Sequence, residues 1–184
     1  MPNVDGLAPE AENHLGACAA QSRWASPTRN DLDRRACVVM EIETFLRAES
    51  GEFVRLESCR NPPPDSDYIE GAIRISVGGV EVIGTEEWDY VDQLWCYLAD
   101  MVTQVRSAGY AETFFPDQPI RLSLQATGSR ILVTARIGEE VRRASGASAE
   151  LLEALKAAGT VFFAKMSELV PQNSYAEARR ELAA

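Results

Sequence analysis

Residues 120–138 read IRLSLQATGSRILVTARIG. Apolar side chains fall at Ile120, Leu122 and Leu124, and again at Ile131, Val133, Ala135 and Ile137. Arg121, Ser123, Gln125, Arg130, Thr134 and Arg136 take the alternate positions. A period of two marks a strand with one buried and one wet face. Thr127–Gly128 is the expected turn that closes the two runs into a hairpin. EEVRRA (139–144) follows as a short edge strand.

The same pattern recurs upstream. In YIEGAIRISV (68–77), Ile69, Ile73, Ile75 and Val77 share one face, while Tyr68, Glu70, Arg74 and Ser76 share the other. Gly78–Gly79 suits a two-residue turn because both positions accept positive φ, and VEVIG returns. CVVMEIETFLR (37–47) alternates as well, placing Glu41 and Glu43 on the polar side. AESGE is a turn, and FVRLE is the returning strand. NPPPDSD is a stiff connector, since three prolines fit neither a helix interior nor a central strand.

Two segments carry helical spacing. EEWDYVDQLWCYLADM (86–101) and its continuation put Trp88, Val91, Trp95, Leu98, Val102 and Val105 on one stripe, widened by Leu94 and Met101. Glu86, Asp89, Asp92, Cys96 and Asp100 fall on the opposite arc. The tryptophans are therefore expected in the core and the acids in water, with Glu86 and Glu87 favoured near the positive end of the helix dipole. SAELLEALKAAGTVFFAKMSELV (148–170) is the second long helix, with Leu152, Leu155, Phe162, Met166 and Leu169 near helical spacing. Gly159 costs it about 1 kcal/mol relative to alanine, and Pro171 ends it. Ser174 to Glu177 reads as a capping box opening a short terminal helix.

Strands that alternate, rather than run continuously apolar, favour an antiparallel sheet with one covered face. The expected fold is α+β: a two-layer domain in which a largely antiparallel sheet carries two long helices on one face, in the order ββββ-α-ββ(β)-α. Residues 1–35 read as a flexible leader, 36–170 as a single domain, and 171–184 as a short helical tail.

Composition narrows the function. The chain has 28 acidic and 18 basic residues, a formal charge of −10, and most of the excess lies within 36–170. Such a body repels nucleic acid and anionic membranes unless a basic face is segregated, and it suits a basic protein partner. The apolar runs are too short to span a bilayer, and the N-terminal residues lack the pattern of an export signal. A cytoplasmic protein, monomeric or homodimeric, is expected. His14 is the single histidine, which excludes His-dependent triads in the body of the chain and ordinary His-based zinc sites. The four cysteines form no C-x-x-C pair and read as reduced thiols. Phosphate-loop, dinucleotide-loop and nucleophile-elbow patterns are missing. No cofactor, metal or catalytic residue is expected.

Three groups remain as candidates for contact with a partner. Asp89, Asp92 and Asp100 would form the acidic helix face. Glu41, Glu43, Arg55, Tyr68, Glu70, Arg74, Arg121, Arg130 and Arg136 would project from the open sheet face, where cross-strand charge pairing is the ordinary role and a recognition surface is the alternative. Phe114 and Phe115 precede a rigid turn and read as aromatics folded over the core edge, or else as an anchor for a partner. Cys59 beside Arg60 has no base in reach.

YIEGAIRI, VGGVEV, WDYVDQLWCYL, FFPDQPIRLSL and the helix ending FFAKM together resemble a group of small bacterial α+β proteins of unassigned function, over about residues 68–166. In size, acidity and lack of catalytic residues the chain also resembles immunity proteins of bacterial toxin systems. The first resemblance implies a compact bacterial α+β domain and no site assignment; the acidic body, the lack of histidine there and the absent catalytic motifs point to a non-enzymatic protein-binding domain, of immunity type, that neutralises a basic partner by surface contact. The alternative is a small-ligand binder or enzyme with Glu41, Glu43 and Glu70 gathered in a cleft between sheet and helices. A third reading is an oligomeric scaffold joined through an edge strand or through Tyr90 and Tyr97.

Overall fold

Alternation becomes two antiparallel sheets in the computed structural model, which describes residues 40–183. The leader, His14, Cys18 and Cys37 lie outside the described residues. In the first sheet, β1 (Met40–Arg47) pairs with β2 (Phe53–Arg55) and β3 (Glu70–Val77), and β3 pairs with β4 (Val80–Ile83). A two-residue strand, β5 (Asp89–Tyr90), pairs with Glu70–Gly71 beyond the end of β4. In the second sheet, β6 (Tyr110–Phe114), β7 (Ile120–Thr127), β8 (Arg130–Ile137) and β9 (Glu140–Ala147) follow in sequence order. The α+β class and antiparallel pairing match the sequence reading, but the strands form two sheets rather than one. The β4 and β9 sides meet through side chains: Arg142 reaches Glu87 at 3.2 Å, and Gly146 lies against Met40 and Val77.

Inward strand faces follow the sequence, whereas Ser76, read as outward, is buried. Ile73, Ile75, Val77, Ile120, Leu122, Leu124, Ile131, Val133 and Ala135 are all buried. The Gly78–Gly79 turn forms, with both residues at positive φ. The second hairpin closes one residue later than expected: Thr127 pairs with Arg130, so Gly128–Ser129 is the turn and Gly128 supplies the positive φ. β6 was not expected. It begins where Gly109, left-handed at φ 75°, stops the preceding helix and turns the chain back.

The first long helix, α1, spans Val91–Ala108, five residues later than the reading that began at Glu86. Glu87 is the reason for part of this delay: its Oε2 accepts the Gly84 N–H at 2.8 Å and closes a turn before the helix. The second, α2, spans Ser148–Leu169. The terminal helix α3, Ala176–Ala183, belongs to the same compact unit as the two sheets. It begins one residue after Tyr175, which is buried. No described helix is long and apolar enough to cross a membrane.

Trp95 centres the core. Its ring is fully buried, stacks on Phe162 with centroids 5.8 Å apart, and donates its indole N–H to Thr44 Oγ1 at 3.1 Å. Thr44 is thus a polar residue inside β1 with a specific partner, which satisfies the buried donor. Gly159 is explained by contact: a Cβ there would sit 2.6 Å from Leu182 Cδ1 and 3.1 Å from Trp95 Cζ3. The glycine lets α2 approach both the tryptophan and α3.

Candidate functional site: an aromatic groove at the end of the first sheet

Three acids of the segment reverse their expected exposure. Glu87, Asp89 and Asp92 are buried, while Trp88 is only half-buried. The helical wheel misplaced them for two reasons. Glu87, Trp88 and Asp89 precede the helix, so helical spacing does not apply to them. Asp92 does lie on the polar arc of α1, but α3 packs there, and Tyr175 donates its hydroxyl to Asp92 Oδ2 at 3.2 Å. Asp92 Oδ1 is buried without a hydrogen-bond partner. Burial raises the Asp92 carboxyl above its ordinary pKa. The same burial pushes the Cys96 thiol up to about 11 and the Tyr175 phenol up to about 12. Asp100 is exposed, as expected, and is raised by partial burial and by Glu181 and Glu177 of α3.

Asp89 has a structural task. Its carboxylate accepts the backbone N–H groups of Tyr90 at 2.6 Å, Asp117 at 3.1 Å and Gln118 at 3.0 Å. Gln118 in turn donates its side-chain amide to the Trp88 carbonyl. These bonds clamp the FFPDQP turn to β5. Phe115 is buried by it and Phe114 is left 60% exposed, so the two aromatics split between the two readings of that motif.

The open face of the first sheet is mostly self-paired. Glu43 is forked by Arg74 and Arg55, and both guanidiniums lie over the Phe45 ring, at 5.4 and 5.8 Å. The bond to Glu43 raises the Arg74 pKa. Glu41 is exposed opposite Ser76. Glu41, Glu43 and Glu70 do not share a cleft. The hollow between β1 and α2 is lined by Met40, Ile42, Thr44, Leu56, Ala158 and Val161, with Glu57 as its acid. On the second sheet, Arg121 pairs with Glu112 at 3.4 Å, and Arg130 bonds Ser145. Arg136 is exposed.

Tyr68 and Glu70 instead belong to a groove at the end of this face. Three hollows of about 810, 450 and 350 Å³ run together, the first two sharing Arg47, Ala48, Glu49 and Pro64, the last two sharing Glu70 and Tyr90. Register explains the convergence: Glu70 faces Tyr90 across β3–β5, and Arg47 of β1 bonds Glu70 at 2.8 Å. The Arg47 guanidinium also lies 4.5 Å over the Trp88 ring. Tyr68, 55% exposed, meets Tyr90 with ring centroids 5.4 Å apart. At the far end the walls are Glu70, Glu86, Trp88, Asp89, Tyr90, Asp117 and Gln118. Partial burial and the Asp117 and Glu70 carboxylates hold the Tyr90 phenol above its ordinary pKa.

At the other end Cys59 lines the largest hollow beside the three prolines. Its Sγ lies 3.4 Å from the Arg55 carbonyl, and burial raises its pKa, the opposite of an activated thiolate. Among the described residues, no group of three or more His, Cys, Asp or Glu side chains is placed to hold a metal ion. Comparison with protein-family models, curated proteins and solved structures returned no match.

Proposed function

We propose that this chain is a protein-binding domain that takes a basic segment of its partner into the groove beside Trp88 and Tyr90. One observation carries the reading: the 350 Å³ end of the groove sets Trp88 and Tyr90 beside Glu86 and Asp117, two carboxylates that Arg47, bonded to Glu70, does not pair. Aromatic faces next to carboxylates attract a guanidinium or ammonium through both the ring quadrupole and the charge. Arg47 already shows this chemistry within the chain, lying over Trp88 while bonded to Glu70. Tyr, Trp and Arg are also the types that dominate interface energetics.

A domain that neutralises a basic toxin, acting in the cytoplasm and without catalysis, is the biological form this proposal takes. It is supported by the overall charge of −10. The carboxylate-cleft enzyme is less favoured, because Glu43 is spent on two arginines and Glu41 stands apart from the groove.

Titration with a short polyarginine peptide, followed by tryptophan fluorescence, tests the proposal, since Trp88 lies in the groove wall. Saturable binding that weakens with salt and is lost in Glu86→Gln/Asp117→Asn is expected. Equal binding by that variant would reject the groove as the site.

A further inference from the structure

The open face of the second sheet differs in kind from that of the first. Cross-strand register puts Tyr110, Glu112 and Phe114 of β6, Arg121, Ser123 and Gln125 of β7, Arg130, Thr134 and Arg136 of β8, and Arg143 of β9 on one surface. Four arginines share it with one glutamate. On the first sheet every arginine of the open face has a carboxylate: Arg47 with Glu70, and Arg55 and Arg74 with Glu43. On the second, Glu112 serves Arg121, whereas Arg136 and Arg143 have no carboxylate within 4.0 Å among the described residues.

Arg121 and Arg136 are, moreover, direct cross-strand partners. Like charges in that position oppose sheet formation. A chain with 28 acids has carboxylates to spare, yet places none between them. Beside this basic strip stand two of the more exposed aromatics, Tyr110 at 45% and Phe114 at 60%. They lie four residues apart on β6, or about 14 Å. Phe114 is directly opposite Arg121.

We infer that this face binds single-stranded nucleic acid. Guanidiniums fork phosphate oxygens and stack on bases, and exposed rings on a flat sheet offer platforms to unstacked bases. A duplex would need a protruding element to enter its groove, and this face is built of strands alone. The net charge of −10 does not forbid contact, because at physiological salt the field of distant acids is screened beyond about 8 Å. It does limit the affinity. With Arg121 partly neutralised by Glu112, three arginines release counterions, giving a slope of log K against log salt of about −2.

The experiment uses the full chain and fluorescence anisotropy with labelled oligothymidylate and oligouridylate, with a polyglutamate peptide as competitor. Both oligonucleotides should bind with that slope, and Arg136→Ala/Arg143→Ala should weaken binding about tenfold or more. Phe114→Ala should weaken it about fivefold or more at unchanged slope. These side chains are exposed, and thermal unfolding checks that the variants stay folded. Absence of binding, or binding that survives the double substitution, overturns the inference. Displacement by polyglutamate at equal charge concentration overturns it in favour of an acidic protein segment. An unchanged affinity in Phe114→Ala overturns the role given to base stacking.

Discussion

Gly159→Ala sets two known effects against each other. In the middle of a helix, alanine is favoured over glycine by about 1 kcal/mol. Here the new Cβ would meet Leu182 Cδ1 at 2.6 Å and two Trp95 ring carbons at 3.1 and 3.2 Å. Leu182 offers a movable methyl group. Trp95 does not move easily, being fully buried, stacked on Phe162 and bonded to Thr44. Overpacking of this kind costs about 1–3 kcal/mol, so the substitution should lose about 1 kcal/mol net, with α3 displaced. Leu182→Ala, in a buried position, should lose about 2–3 kcal/mol. The double variant should lie close to Leu182→Ala alone, because removing the leucine tip relieves the shortest contact and the helix gain offsets the Trp95 contact that remains. Urea unfolding of the four proteins measures that coupling. Hydrogen exchange at the Arg179 amide, bonded to the Tyr175 carbonyl at 3.0 Å, reports whether α3 has loosened. A Gly159→Ala protein more stable than the parent by about 1 kcal/mol would refute close packing as the reason for the glycine.

Three further outcomes follow from buried polar groups. Asp92→Asn should stabilise the protein by about 1 kcal/mol at pH 7, because a neutral amide carries no charge to desolvate beneath α3 while its oxygen can still accept from Tyr175. The folded carboxyl is raised by burial, so below its folded pKa the native state holds the proton more tightly than the unfolded chain does. Stability from this group therefore rises as pH falls from the folded pKa toward the ordinary carboxylate range. The advantage of the asparagine variant should shrink over that window, as urea midpoints at stepped pH will show. Asp89→Asn should cost about 1–3 kcal/mol by weakening three backbone hydrogen bonds, and should speed hydrogen exchange at the Asp117 and Gln118 amides. Thr44→Val should leave the Trp95 indole N–H without its acceptor and cost about 1–3 kcal/mol in thermal or urea unfolding.

Much of the fold was legible because burial on one side of a strand leaves a period that any short window reveals. Ile73 and Ile75, or Leu122 and Val133, could be assigned to the core without knowing their neighbours. The same window could not tell one sheet from two, since strand order is absent from the pattern. It also missed β6, although Ala111, Thr113 and Phe115 alternate with exposed Tyr110, Glu112 and Phe114. That strand is five residues long and follows a helix directly, so its period was hidden by its neighbour's.

The candidate sites were less legible, and the reason is physical. A wheel or a strand pattern separates apolar from polar side chains, but polar side chains are sorted again by their partners. Asp92 and Asp100 share one arc of α1, yet Tyr175, just before α3, covers the first and leaves the second in water. Asp89 looks like one more surface acid until Asp117 and Gln118, nearly 30 residues away, bring their N–H groups to it. Outward-facing arginines pose the same problem. Arg74 and Arg136 are indistinguishable by alternation, but register places Glu43 opposite the first and Arg121 opposite the second. A charge pair closes one surface and a like-charge pair leaves the other open. Sequence alternation can therefore nominate a face, but only the identity of the residue across the ladder decides whether that face still has charge to offer.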